Sequence, residues 1–487
     1  MVKVNASLKN INLIVNQIGD EGASAIAKGI QENKNCVLEE LNLRYTNIKV
    51  EGAKSLAEMI KVNASLKKIS LYGNEIGDEG ASAIAKGIQE NKNCVLEELD
   101  LQYNKIKVEG AKSLAEMIKV NASLKSINLQ NNDIGDEGAS AIAKGIQENK
   151  NCLLEELNLS SNGIKVEGAK SLAEMITVNA SLKKINLYYN NIRDEGASAI
   201  AKGIQENKNC VLEELNLRYT GIKVEGAKSL AEMLKVNASL KSIYLLRNEI
   251  RDDEIKVEGA QALAKMINVN ASLKSINLLS NAIGVEGFEA IKEAFEGNEN
   301  LKSVCGIKED ETEKDFSDQY LKPVDGKLLA LDLKFNASLK SINLLKNQIG
   351  DEGFEAIKIA FEGNEHLKSV CGIKEDETEK DFSDQYLKPV DGKLLALDLK
   401  FNASLKNINL SDNNLVQTYA KEDTLQGETF DVGATVEHGG ANWKIVKGKD
   451  SDGDYTIACF DGIIAIADAL KVNASLKSIN LLNNEIG

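Results

Sequence analysis

A chain of 487 residues exceeds what one hydrophobic core serves, and 43% apolar content with two prolines and 37 glycines excludes a collagen-like or disordered polypeptide, favouring a repeat array. A formal net charge of -15 excludes a surface that binds by neutralising phosphates, so no nucleic acid is expected and a basic protein partner suits it better. No apolar run reaches the roughly 18 residues of a membrane helix, and Met1-Val2-Lys3-Val4-Asn5 lacks the apolar stretch of a signal peptide, so a cytoplasmic protein off the membrane is expected.

From the N-terminus, Leu8, Leu66, Leu124, Leu182 and Leu240 recur every 58 residues, with Leu38, Leu96, Leu154 and Leu212 between them. The unit is a pair of 30- and 28-residue repeats, each reading Leu-x-x-Leu-x-Leu-x-x-Asn-x-Ile with Ile allowed second, as in Leu66, Ile69, Leu71, Asn74 and Ile76. The spacing predicts a short strand with Ile69 and Leu71 on one face and Lys68, Ser70 and Tyr72 on the other. A helix follows: Ala23, Ile26, Ala27 and Ile30 fall on one stripe, as do Ala53, Leu56, Ala57 and Ile60. Asp20 and Asp78 are expected to cap the helices they precede. The recurring Asn16, Asn74, Asn132, Asn190, Asn248 and Asn281 are expected to bridge neighbouring turns, with interruptions where Thr46 and Thr220 stand instead. Cys36, Cys94, Cys152 and Cys210 share one repeat position, which points to packing rather than disulfides. The nine Asn-Ala-Ser triplets read as helix-ending turns.

These residues resemble the ribonuclease-inhibitor-like class of leucine-rich repeats. The resemblance implies an α/β fold: a right-handed solenoid, or horseshoe, with the parallel sheet on its concave face and helices on its convex face. Regular paired repeats are expected over residues 1–300. Residues 301–418 continue with two degenerate copies 66 residues apart, Leu301–Ile307 returning as Leu367–Ile373. Each copy is expected to lack a helix, to bury Phe316, to place Lys314 at a leucine position, and to open its next helix on Pro323 or Pro389. Residues 419–461 break the repeat with strand-like alternation, resembling the SH3-like inserts of some protist and algal leucine-rich-repeat proteins. A partial repeat fills 462–487, and both ends fall mid-repeat, so end-to-end self-association is an expected option.

Chemistry is sparse. His366 and His438 are the only histidines; the first aligns with Asn300 in the sister copy and the second lies by a glycine-rich turn. Asp450-Ser451-Asp452-Gly453-Asp454 begins like a calcium loop, but its glycine comes early, and a hairpin turn fits better. Trp443, Tyr455 and Phe460 suit barrel packing better than an aromatic cage. No catalytic residue, metal site or cofactor is therefore expected. Variation among repeats points elsewhere, because Gly77–Glu98 reproduces Gly19–Glu40 unchanged while the strand exits differ. The expected partner-binding residues are Arg44, Tyr45, Tyr72, Tyr103, Tyr188, Tyr189, Arg218, Tyr219, Tyr244 and Arg247, since Tyr and Arg are favoured at interface hot spots. A non-enzymatic protein-binding scaffold follows. The resemblance also admits a GTPase-activating regulator like the Ran activator, or a ligand-sensing fragment of an innate-immune receptor.

Overall fold

The computed structural model describes residues 2–250, 257–421, 435–438, 441–447 and 455–484. Two compact units divide it, Met1–Leu301 and Lys302–Gly487.

In the first unit the leucine motif folds as ten three-residue strands: β1 (Asn10–Asn12), β2 (Glu40–Asn42), β3 (Lys68–Ser70), β4 (Glu98–Asp100), β5 (Ser126–Asn128), β6 (Glu156–Asn158), β7 (Lys184–Asn186), β8 (Glu214–Asn216), β9 (Ser242–Tyr244) and β10 (Ser275–Asn277). They pair in sequence order as one parallel sheet, with Leu41 opposite Ile69 and Ile69 opposite Leu99. A helix returns the chain between strands, such as Val50–Ile60 between β2 and β3. Strands stack about 4.8 Å apart and helices about 8–10 Å apart, so such a stack bends with its sheet inside. Between the layers Ile69, Leu71, Ile76, Ala53 and Leu56 are all buried, each large aliphatic side chain contributing roughly 1.5–3 kcal/mol. Ile26 is half-exposed where its repeat equivalent Ile84 is fully buried, because its helix has a full α-helix on one side and only the short 3-10 turn Val2–Val4 on the other.

The asparagines hold the turns together. Asn132 Nδ2 donates to the carbonyls of Leu101 and Leu129, and its Oδ1 accepts the amides of Asn104 and Ile106. At Thr46 the hydroxyl donates to Leu43 within its own repeat, whereas Asn104 reaches back to Leu71 of the preceding one. The aspartate expectation needs correcting. Asp20 lies inside the first turn of its own helix, Gly19–Gln31, and its Oδ1 accepts the amides of Lys49 and Gly52, capping the following helix instead. Asp78, Asp136 and Asp194 repeat this contact at Gly110, Gly168 and Gly226. Geometry decides it: the strand between consecutive helices is short enough for each first turn to sit beside the next helix's free amides. The triplet turns also form as hydrogen-bonded units, Asn63 Oδ1 accepting from Ser65 and Leu66.

In the second unit β11 (Glu313–Asp315) pairs with β12 (Ser341–Asn343), and β13 (Glu379–Asp381) with β14 (Asn407–Asn409). Phe316 and Phe382 are buried, Lys314 lies over the Phe316 ring, and Pro323 and Pro389 open their helices. No helix forms over 303–312 or 369–378. Buried aspartates tie down these helix-free arcs. Asp332, from the helix Pro323–Phe335, accepts the Ser303 hydroxyl and the amides of Val304 and Cys305; Asp398 does the same for Ser369, Val370 and Cys371. Burial pushes both carboxyls up to about 7 against the pull of those hydrogen bonds. Where the 369–378 arc lacks a helix, a cavity of about 460 Å³ opens between the helices Gly350–Glu362 and Pro389–Phe401, lined by Phe361, Leu367, Ile373 and Phe401.

The interruption after β14 is a four-stranded antiparallel sheet of β15 (Gln417–Lys421), β16 (Thr435–His438), β17 (Ala441–Lys447) and β18 (Tyr455–Cys459), ordered β15-β18-β17-β16. The repeat then resumes with the helix Asp461–Leu470 and β19 (Ser478–Asn480), which pairs with β14.

Candidate functional site

After each strand of the first unit the chain turns through a left-handed residue, which swings the following segment off the sheet edge. Tyr45, Tyr103, Tyr189, Tyr219 and Arg247 all sit at this position, with φ between 52° and 55°. Aromatic and guanidinium groups thus line one edge of the sheet, and they fall into two clusters.

The first spans β2 to β4. Tyr45 hydrogen-bonds the Tyr72 hydroxyl, their rings lie 4.7 Å apart, and Tyr103 stands 5.5 Å beyond Tyr72. The Arg44 guanidinium covers Tyr72 at 4.4 Å, and its Nε is buried without a hydrogen-bond partner. The hydrogen bond from Tyr45, with burial, holds the Tyr72 phenol above its usual range. The second spans β7 to β9. Tyr188, Tyr189 and Tyr219 form a triangle with centroids 5.4–6.2 Å apart. Arg218 lies 5.3 Å over Tyr188 and Arg247 5.2 Å over Tyr219. Burial raises the Tyr219 phenol, opposed by Arg247. Tyr45, Tyr103 and Tyr189 remain 47%, 48% and 61% exposed, enough for a partner to bury them further. Between the clusters the exits of β5 and β6 carry only Gln130, Asn131, Ser160 and Ser161, a polar gap of three strand spacings, roughly 14 Å.

Tyr244 departs from expectation. It is 9% exposed, with Arg218 5.7 Å above its ring, so it forms the floor beneath that guanidinium rather than an outer contact. The open face ends nearby, since Ser275, Ile276 and Asn277 of β10 are all buried. The sequence reading also passed over Tyr320 and Tyr386, left-handed and 59% and 70% exposed at two strand exits of the second unit. The repeated Phe-Ser-Asp-Gln-Tyr was the signal available.

Below the exits, the open face is polar. Lys68 pairs with Glu98 and Lys184 with Glu156, both at 2.7 Å, and rows of asparagine run above them. A depression of about 220 Å³, lined by Asn128, Asn158, Lys184, Asn186 and Asn216, is below the roughly 300 Å³ at which small-molecule pockets begin, and accommodates a protruding side chain better.

Among the described residues no cluster of three or more His, Cys, Asp or Glu is arranged to hold a metal. His366 is exposed in a loop. Residues 450–454 lie outside the described residues, as do the side chains of His438, Trp443 and Tyr455. No described helix is long and apolar enough to cross a membrane.

The Leucine Rich repeat family profile matches residues 4–27, 34–57, 62–85, 92–115, 120–143, 150–173, 178–201, 208–231, 269–292 and 335–358. Over 126 residues, 26% of this chain, the sequence is 26% identical to the ribonuclease inhibitor of Mus musculus, and the match spans 27% of that protein's length. It is 28% identical over 120 residues to NACHT, LRR and PYD domains-containing protein 4C of Mus musculus, covering 25% of this chain and 12% of that one. Among solved structures, the TLR13-ssRNA13 complex aligns with 83% of this chain and 48% of that chain at 17% identity, with a TM-score of 0.39.

Proposed function

Because this chain is a leucine-rich-repeat protein of the ribonuclease-inhibitor-like class, we propose that it is a non-enzymatic scaffold holding a partner protein against its open sheet and strand exits. One observation carries the reading: the Tyr and Arg side chains at the strand exits of β2–β4 and β7–β9 gather on a single edge as two preformed clusters. Stacked rings lose little rotamer freedom on binding, so the area they bury converts efficiently into affinity. The unchanged helix sequence of Gly19–Gln31 and Gly77–Gln89 supports the same side, since the helices differ least where the exits differ most. The regulator and sensor readings rest on the shared repeat alone.

The test is affinity purification with wild type beside two variants, Tyr45/Tyr103→Ala and Tyr189/Tyr219→Ala. A partner retained by wild type and lost from either variant, at unchanged melting temperature, is the expected result. Retention by both variants counts against the proposal. Loss of one hot-spot aromatic costs about 2 kcal/mol, roughly 30-fold in affinity.

A further inference from the structure

Of the 59 Lys and Arg residues in this chain only five are arginine: Arg44, Arg193, Arg218, Arg247 and Arg251. Three of the four described ones, Arg44, Arg218 and Arg247, stand at strand exits of the first unit, and Arg193 opens the helix Arg193–Glu206. Elsewhere the fold uses lysine, and lysine is mostly spent on neighbouring carboxylates, as in Lys61–Glu90 and Lys119–Glu148. Arg44, Arg193 and Arg218 make no ion pair with a carboxylate. Arg193 donates Nε–H to the Asn191 side-chain oxygen and Arg218 to that of Asn216, neutral acceptors in both cases.

Arginine differs from lysine in two ways that matter here: its plane stacks on an aromatic ring, and its fork meets a carboxylate with two parallel hydrogen bonds. Both features are prepared in the second cluster, where Tyr188 and Tyr244 hold Arg218 from below and Tyr219 holds Arg247. Resting on the scaffold reading above, we infer that this cluster is a subsite for a short acidic segment of the partner protein, a carboxylate of which is clasped by Arg218 where it stacks on Tyr188 and Tyr244. The segment is short because Glu214, at the start of β8, lies only roughly 10–13 Å along the same strand, and a continuous polyanion would meet it. Total charge pointed to a basic partner; the stacked arginine of this edge points the other way.

The test uses the full chain and an array of twelve-residue peptides bearing an Asp-Glu pair in varied apolar contexts, beside the same peptides with Asn-Gln. Wild type is expected to prefer the acidic members about ten-fold, and the variant R218K, which keeps the charge, to lose that preference at unchanged melting temperature. Equal binding of acidic and amide peptides overturns the inference, as does an undiminished preference in the lysine variant. Tighter binding of a twelve-nucleotide single-stranded RNA, lost in the same variant, also overturns it. If acidic preference is absent while the tyrosine variants still lose their partner, the scaffold reading stands and this inference alone falls.

Discussion

Asp20 Oδ1 accepts the backbone amide of Gly52, 32 residues further along the chain, at 2.9 Å. The carboxylate does for the next helix what that helix's own first residue cannot: Lys49 stands at the N-cap and makes no side-chain cap. Within each pair the first repeat thereby caps the helix of the second, and that helix borrows part of its stability from its neighbour.

The same contact explains an invariant glycine of the repeat pairs. A Cβ on Gly110 would lie 2.7 Å from Asp78 Oδ1 and 3.1 Å from the Asp78 Cα, so the aspartate must withdraw to admit it. Asp78→Ala is expected to cost about 1 kcal/mol, the usual loss for an N-cap, and Gly110→Ala about as much. Because both remove one interaction, the double variant should cost less than the sum. Urea unfolding of the four proteins checks this, and strict additivity would show that the two residues act separately.

Asn132 should matter more than Asn16. Removing the Asn132 amide orphans two carbonyls and two buried amides across two turns, whereas Asn16 serves only Leu13 and Ile14 at an exposed position. Asn132→Ala is expected to destabilise by about 2–4 kcal/mol and Asn16→Ala by about 0.5 kcal/mol. Hydrogen exchange of the amides of Asn104 and Ile106 reports the first loss locally.

Arg193 occupies a left-handed position, φ 56°, where Gly19, Gly77 and Gly135 stand in sister repeats. Arg193→Gly should relieve strain on the order of 1 kcal/mol and raise the melting temperature slightly. If the arginine belongs to the recognition edge, the same change lowers affinity for the partner. A gain in both stability and affinity would separate Arg193 from that edge.

Much of this architecture was legible in the sequence because a 58-residue period repeats every determinant: Ile69 and Leu71 two apart, then a stripe such as Ala53, Leu56, Ala57 and Ile60. What stayed hidden was whatever crosses between repeats. Asp20 reads as a cap for its own helix because sequence shows adjacency along the chain, not across it. Asp332 and Asp398 read as polar residues in apolar helices, and only the missing helix beside each reveals why a carboxylate is buried there. At the candidate site, the alternation puts Tyr72 on the face opposite Ile69 and Leu71, but Tyr244 has the same pattern and ends up nearly buried, because exposure depends on neighbouring strands.

The buried aspartates give the second unit a pH dependence whose sign is fixed. In the fold both carboxyls titrate at about 7, above the ordinary value near 3.9 of an unfolded chain. The folded form therefore binds protons more tightly, and its stability is greatest in acid and falls between about pH 4 and pH 7, after which both states are ionised and the loss levels off. Each carboxyl contributes on the order of 1.4 kcal/mol per pH unit across that window. Hydrogen exchange of the 303–307 and 369–373 arcs should quicken, after correction for intrinsic rates, as pH is raised from 5 to 7. The Asp332→Asn/Asp398→Asn variant, less stable in itself, should flatten that dependence. A flat profile in wild type would mean the carboxyls are ionised throughout.

The recognition edge is best examined by hydrogen–deuterium exchange of the full chain with and without its captured partner. Protection of the strand-exit peptides around residues 42–47, 186–191 and 216–221, with the helix peptide 82–90 unchanged, is the expected outcome. Protection confined to the helices, with the tyrosine and arginine exits exchanging as freely as before, would contradict it.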